Sequence, residues 1–238
     1  MNFSKLLLEG VVWYGVFVFS TVLHEAAHAW AALKLGDATA YLGGQVSLDP
    51  VPHMQREPMG MIGIPLITFF LAGGQWMMGW ASAPYNFFWA LEHPRRAAWM
   101  ALAGPLANLV LVVVSGVVLK LGLVMEFFAV PQDLSLTHLV GAAPNSGLDA
   151  VAFFFSLVFA LNLVLLIFNV LPVPPLDGSG LPPLFMKPHQ ARDYLRFIRN
   201  PGFAMAGLLV AWFGFRYLIR PVFDFVITKF LYPDLFFF

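Results

Sequence analysis

Five long runs of the chain carry almost no charge, and this feature limits the fold more than any other. They fall at 10–33, 59–81, 97–119, 150–171 and 201–215, the last continuing past Arg216. The middle three are long enough to cross about 30 Å of hydrocarbon as helices. Composition agrees: 60% of the residues are hydrophobic and 11% are charged. A soluble domain is nearer about 45–50% apolar and has no interior for more. Lipid is therefore the solvent for much of the surface. The connectors 34–58, 82–96, 120–149 and 172–200 leave no room for an added domain of ordinary size. The expectation is an all-α polytopic membrane protein with four to five transmembrane helices. It forms one membrane-embedded domain over 1–238, with its core at 10–185 and a C-terminal helical region at 200–238.

Charge and cysteine usage exclude several functions. Thirteen basic residues balance thirteen acidic ones, and no basic stripe points to nucleic acid. Cysteine is absent, so disulfides, iron–sulfur clusters, thiolate metal sites and cysteine nucleophiles are excluded. Any metal must be held by His and carboxylate. Lys5 precedes the first apolar run in the manner of a signal peptide. That run continues without a cleavage site into His24, so it reads as a retained membrane helix.

The second run differs from the rest. Gly60, Gly63, Pro65, Gly73, Gly74 and Gly79 all weaken a helix there. The segment either spans or enters and leaves on one side, which is allowed only where protein or a watery cavity covers it. If it re-enters, Lys and Arg divide 8 to 5 between the two sides; if it spans, they divide 7 to 6. The first split fits the positive-inside rule better. It places 34–96 and 172–200 in the cytoplasm and both termini outside. The segment after Arg220 reads as a short interfacial helix.

His24-Glu25-Ala26-Ala27-His28 carries the chemistry. On a helix, residues four apart share a face, so both imidazoles can bind one Zn2+. Glu25 can take a proton from water at that metal. The bland alternative is a polar surface face. The flanks Val22-Leu23 and Ala29-Trp30-Ala31 oppose it, because an ionisable triplet in a membrane helix is costly.

A catalytic zinc needs a third protein ligand. His53, His93, His138 and His189 lie in connectors and read as ordinary solvated or locally bonded histidines. Asp177 follows the fourth run, where Pro172, Pro174 and Pro175 force the helix to unwind. Unwound backbone at that depth needs a polar cavity or a protein wall, and a carboxylate there can face a metal. An ordinary Asp-Gly turn is the competing reading. If the second run re-enters, Asp177 and the two histidines end on the same side of the membrane.

Around Gly104 and Pro105, the third run carries Ala97, Ala98, Ala101, Ala103 and Ala107, small residues that allow helices to approach closely. Pro105 frees a backbone carbonyl for another partner. Tight packing alone and a part in the chemistry are both open. Asn108 and Asn162 read as interhelical ties. Asn169, beside the unwound segment, reads as a group that holds substrate.

In this order, the His24–His28 motif, Gly104-Pro105-Leu106-Ala107-Asn108 and Asn169 through Gly178 resemble the site-2 protease family of intramembrane zinc metalloproteases. Lys34-Leu-Gly-Asp-Ala-Thr, Ser47-Leu-Asp-Pro and Gly79-Trp-Ala-Ser-Ala-Pro resemble its small prokaryotic branch without a PDZ or CBS domain. The resemblance covers about residues 20–185. It implies one Zn2+ on His24, His28 and Asp177, with Glu25 as general base and Asn169 on the substrate backbone. It also implies a membrane-embedded β-hairpin around Gly79–Tyr85 that pairs with an extended substrate. The expected partners are the lipid bilayer and membrane-protein substrates with a locally unwound transmembrane segment. The expected location is the prokaryotic cytoplasmic membrane, with the active site opening toward the cytoplasm. Gly178-Ser179-Gly180 departs slightly from the family's Gly-Gly. Pro50–Pro58 is not matched, so no role passes to His53. Competing functions are a non-proteolytic membrane chaperone or adaptor, a transporter, and a zinc protease using Glu57, Glu92 or Glu126 as third ligand.

Overall fold

The structure is a computed structural model that describes residues 3–233. It is helical, apart from one pair of two-residue strands. In chain order, a 33-residue helix α1 (Phe3–Leu35) leads to short α2 (Thr39–Leu42) and α3 (Pro50–Arg56). A π-helical turn (Met59–Gly63) then runs into α4 (Ile64–Leu71). Next come α5 (Phe87–Glu92) and the 31-residue α6 (Pro94–Val124). Strands β1 (Phe128–Ala129) and β2 (Gly141–Ala142) pair antiparallel before α7 (Asp149–Asn169). Two 3-10 turns (Asp177–Gly180 and Pro182–Leu184), α8 (Pro188–Ile198) and α9 (Pro201–Phe225) follow, and α9 ends in a π-helical turn (Val226–Leu231).

Among the described residues, α1, α6 and α7 are long and apolar enough to cross a membrane. The halves Pro201–Phe215 and Tyr217–Leu231 are bent by 44° and make a fourth crossing if they count as one span. This bundle places the chain among integral membrane proteins. Of the interfacial segment expected after Arg220, 234–238 lie outside the described residues, as does the end of the 200–238 region. The rest of it continues α9 rather than starting a separate helix.

Helix α6 is the central member and packs against both α1 and α7. One of its faces carries Ala97, Ala101, Gly104, Asn108, Ser115 and Gly122, all buried. The opposite stripe, Leu106, Val110, Val113, Val117, Leu121 and Val124, is exposed. In water that exposed stripe would be a large apolar patch; against lipid it is the solvent-facing side. The small face lets the backbones of α1 and α7 come close, where van der Waals packing and polar ties replace a hydrophobic drive. Trp13, Val16 and Phe17 of α1 meet Leu157, Val158 and Leu161 of α7 in one apolar cluster, with Phe69 of α4.

The second apolar run does not cross the bundle. Residues 59–71 form about 20 Å of helix, and the chain then turns and comes back without regular structure. The Trp80 N–H donates to the Gly60 carbonyl at 3.0 Å, so the run ends at the level where it began. Thr68 Oγ1 fastens the same pair of arms, accepting from Met78 N–H at 2.9 Å. A Cβ on Gly60 would strike the Trp80 carbonyl, and one on Gly79 would strike Gly60 and Phe17. Glycine is required at this crossing because two backbones touch.

The small sheet is not where the family resemblance implies a hairpin. Residues 79–85 form no regular element, and Trp80 bonds to the π-helical turn before α4 instead of to a neighbouring strand. The strand pair lies between α6 and α7, where Ser156 Oγ accepts from Leu139 N–H and Val140 N–H just ahead of it. Two glycines of similar appearance in sequence should therefore respond oppositely. Gly79→Val is expected to cost about 1–3 kcal/mol by overpacking, lowering the thermal midpoint of the purified protein. Gly214→Val, with no neighbouring atom within 4 Å, should leave that midpoint unchanged.

Candidate metal centre

Burial along α1 locates the site. His24, Glu25 and His28 are all buried, at 6%, 7% and 7% exposure. His24 lies about 16 Å along the helix axis from Leu35, well inside the helix. Asp177 reaches this depth because the chain beyond Asn169 leaves helix at once. Pro172, Pro174 and Pro175 deny it donors, and it winds through turns to Asp177. Gly178 completes the approach, since a Cβ there would run into the Val170 and Leu171 carbonyls. The Tyr194 hydroxyl of α8 donates to the Ser179 carbonyl at 2.8 Å and holds the turn from the other side.

Three ligand atoms converge. His24 Nε2 is 3.0 Å from Asp177 Oδ2. His28 Nε2 is 3.3 Å from the same oxygen and 3.0 Å from His24 Nε2. In a tetrahedral zinc shell with bonds of about 2.0–2.1 Å, neighbouring ligand atoms lie about 3.3 Å apart. The observed separations fit such a cation, and so does the nitrogen–oxygen donor set. The outward nitrogens are engaged elsewhere. His28 Nδ1 faces the Met100 carbonyl at 2.7 Å, so it carries the proton and leaves Nε2 as a lone pair. His24 Nδ1 faces Asn108 Oδ1 at 2.5 Å.

A cavity of about 270 Å³ opens beside this group, with Glu25, His28 and Asp177 on one wall. The lining also includes Ala81, Ser82 and Tyr85 from the segment before α5, and α8 contributes Leu195 and Ile198. Ser82 is fixed through its hydroxyl, which donates to Glu57 Oε1 at 2.5 Å. Burial raises the Tyr85 phenol above its ordinary value, with Arg199 pulling the other way. The phenol therefore stays a neutral donor. A larger cavity of about 400 Å³ lies behind Gly178, lined by Val170, Pro172 and Leu181. It shares no residue with the three converging ligand atoms.

The remaining singled-out residues lie as follows. Gly104 faces the imidazoles so closely that a Cβ would overlap both Nε2 atoms. Its role is thus at the centre itself as well as in helix packing. Pro105 leaves the Ala101 carbonyl without its usual donor, whereas the carbonyl that His28 reaches is Met100's. Asn108 donates to Asn162, and Asn162 donates to Ser20, tying α6, α7 and α1 together. Asn169 sits half-buried in the last turn of α7 and does not line the cavity beside the ligands. His53 is buried in α3 with Nε2 on the Ser47 carbonyl. His93 begins α6, His138 bonds Thr137 and His189 lies in α8; none joins the cluster. Glu57 bonds Ser82, while Glu92 and Glu126 end α5 and follow α6. Sequence reasoning missed the direct contacts of Asn108 and Met100 with the imidazoles. The signal was the four-residue rhythm Met100, Gly104, Asn108 on one face of α6.

Residues 13–193 match the model of peptidase family M50. The chain belongs to peptidase family M50. Two relatives agree with that membership. YwhC of Bacillus subtilis (strain 168), named as a candidate zinc metalloprotease, is 38% identical over 169 residues, 68% of this chain and 63% of YwhC. Rip2 of Mycobacterium tuberculosis (strain ATCC 25618 / H37Rv), named in the same way, is 29% identical over 211 residues, 85% of this chain and 70% of Rip2. The match thus spans less than two thirds of the length of YwhC. No solved structure matches the chain.

Gly104→Ala tests the close approach of α6. Alanine favours helix by about 1 kcal/mol over glycine, so the variant should remain folded. Its methyl group should displace both imidazoles, and bound divalent metal, measured by elemental analysis, should fall well below one per chain. Gly15→Ala has no neighbouring atom within 4 Å and should bind metal as the parent does.

Proposed function

We propose that this chain is an intramembrane zinc metalloprotease that hydrolyses peptide bonds in or near transmembrane segments of other membrane proteins. One observation carries the reading: His24, His28 and Asp177 meet at a point beside Glu25, in a cavity between membrane helices. Those three residues would hold one Zn2+, and membership of family M50 supports them in that role. Zinc bound there supplies Lewis acidity, activating water near neutral pH and polarising a scissile carbonyl. Glu25 takes the proton of the attacking water on its carboxylate and delivers it to the leaving nitrogen. Asp177 and the two imidazoles keep their inward lone pairs free of protons. Tyr85, a neutral donor in the cavity lining, can hold a substrate carbonyl. Ala81, Ser82, Ala83 and Tyr85 line the cavity from a segment in no regular element, which leaves room for an extended peptide laid beside it. Asn169 would bind substrate backbone where α7 ends.

A substrate must unwind to be cut, because a helical carbonyl is already bonded and shielded. The polar groups of the cavity, Glu25, Ser82, Tyr85 and Asp177, give water its route. Arg95, Arg96, Arg192, Arg196 and Arg199 flank, in sequence, the cavity-lining residues Ala97, Leu195 and Ile198. That supports a mouth facing the cytoplasm, in a prokaryotic cytoplasmic membrane. Residues 10–185 form the catalytic core of one domain in this reading.

Purified protein should cleave a model transmembrane substrate, and a chelator should stop it. Glu25→Gln should keep its zinc while cleavage falls by about 10²–10⁴-fold. Asp177→Ala should lose both zinc and cleavage. A variant of Asp177 that cleaves normally would contradict the reading. Replacing Gly, Pro or Asn near the cut by Leu or Ala should slow cleavage, read by fragment yield against time. Equal yields would show that local unwinding is not required.

A further inference from the structure

We propose that a hydrogen-bond chain starting at a main-chain carbonyl of α7 and passing through Asn162 and Asn108 fixes the tautomer of His24, aiming its Nε2 lone pair at the metal. The inference rests on the zinc reading above and adds Asn162 and Asn108 to it as positioning residues.

The direction of each bond follows from groups that have only one role. The Val158 carbonyl can only accept, and Asn162 Nδ2 donates to it at 2.8 Å. The same amide nitrogen donates its other proton to Ser20 Oγ at 2.9 Å. Asn162 therefore presents its oxygen to α6, where Asn108 Nδ2 donates to it at 2.8 Å. Asn108 in turn presents its own oxygen to His24 Nδ1 at 2.5 Å. An amide oxygen accepts and never donates, so the proton sits on Nδ1. The lone pair is left on Nε2, the atom 3.0 Å from Asp177 Oδ2. Turning Asn162 over would set its oxygen against the Val158 carbonyl, and turning Asn108 over would set its oxygen against that of Asn162.

Bulk water does not reach this path, since Ser20, Asn108 and Asn162 are all 0% exposed. The two ligating histidines are thus set by different means. His28 uses a backbone carbonyl directly. His24 borrows the polarity of one through two side chains on two other helices. Partners of this kind fix the orientation of a ligating imidazole and raise its basicity. Asn162 does not line the cavity; its hydrogen bonds reach His24 through Asn108 and α1 through Ser20.

The test measures zinc affinity of the purified full chain by chelator competition, together with ¹⁵N imidazole spectra. Asn108→Leu and Asn162→Leu should each weaken zinc by about 10- to 100-fold. The double variant should lose no more than Asn108→Leu alone, because the two act as one chain. Ser156→Ala removes another buried polar tie of α7, to Leu139 and Val140, and should leave affinity unchanged. Wild-type spectra should show His24 protonated at Nδ1 and metal-bound at Nε2, a readout that needs no variant to fold. The opposite tautomer, or unchanged affinity in Asn162→Leu beside a zinc-loaded wild type, overturns the inference and leaves the zinc reading intact. Absence of zinc from the wild type defeats that reading itself.

Discussion

Lone pairs that face one another inside a lipid-covered bundle are the constraint on which the structure turns. His24 Nε2, His28 Nε2 and Asp177 Oδ2 lie 3.0–3.3 Å apart. With both imidazoles neutral, nothing in the protein stands between those acceptors to offset their repulsion. A cation at that point offsets it while the outward nitrogens stay bonded. Burying such a trio is expensive unless it is paired or coordinated. The surrounding helices can be understood as the means of holding it in place.

Helix α6 illustrates the means. Lipid gives no hydrophobic drive for helices to associate, so close packing and polar ties must supply the attraction. The buried face of small residues provides the first and Asn108 the second. Gly104 serves both ends, since the absence of its side chain brings α6 near α1 and leaves space at the imidazoles. Pro172 to Pro175 do comparable work at the end of α7. They stop the helix so that Asp177 can turn inward, and the hydrogen bonds of Ser179 to Leu176 and Tyr194 then hold the turn.

Much of this was legible in the chain before any coordinates. The long uncharged runs give α1, α6 and α7, because each carries enough apolar surface to face lipid on its own. His24, Glu25 and His28 announce a shared helical face through spacing alone. Asp177 stands out because prolines force unwinding beside an apolar helix. The glycines of residues 59–81 and the positions of Lys and Arg favoured re-entry but left spanning open, and the Trp80–Gly60 hydrogen bond supplies what they lacked. Other features depend on partners that no local pattern names. The strand pair at 128–129 and 141–142 is too short to show alternation, and it owes its place to Ser156. The segment 79–85 reads as a hairpin by resemblance, yet its backbone bonds to Gly60 across a helix. Asn108 could be read as a tie between helices, but not as the group on His24, because direction along a helix face is invisible in one sequence.

X-ray absorption at the zinc edge of the purified protein tests the central claim most directly. The account predicts one zinc per chain, four nitrogen or oxygen neighbours at about 2.0–2.1 Å, and outer-shell scattering from two imidazoles. A six-coordinate shell of oxygen alone, or scattering from fewer than two imidazoles, would contradict it.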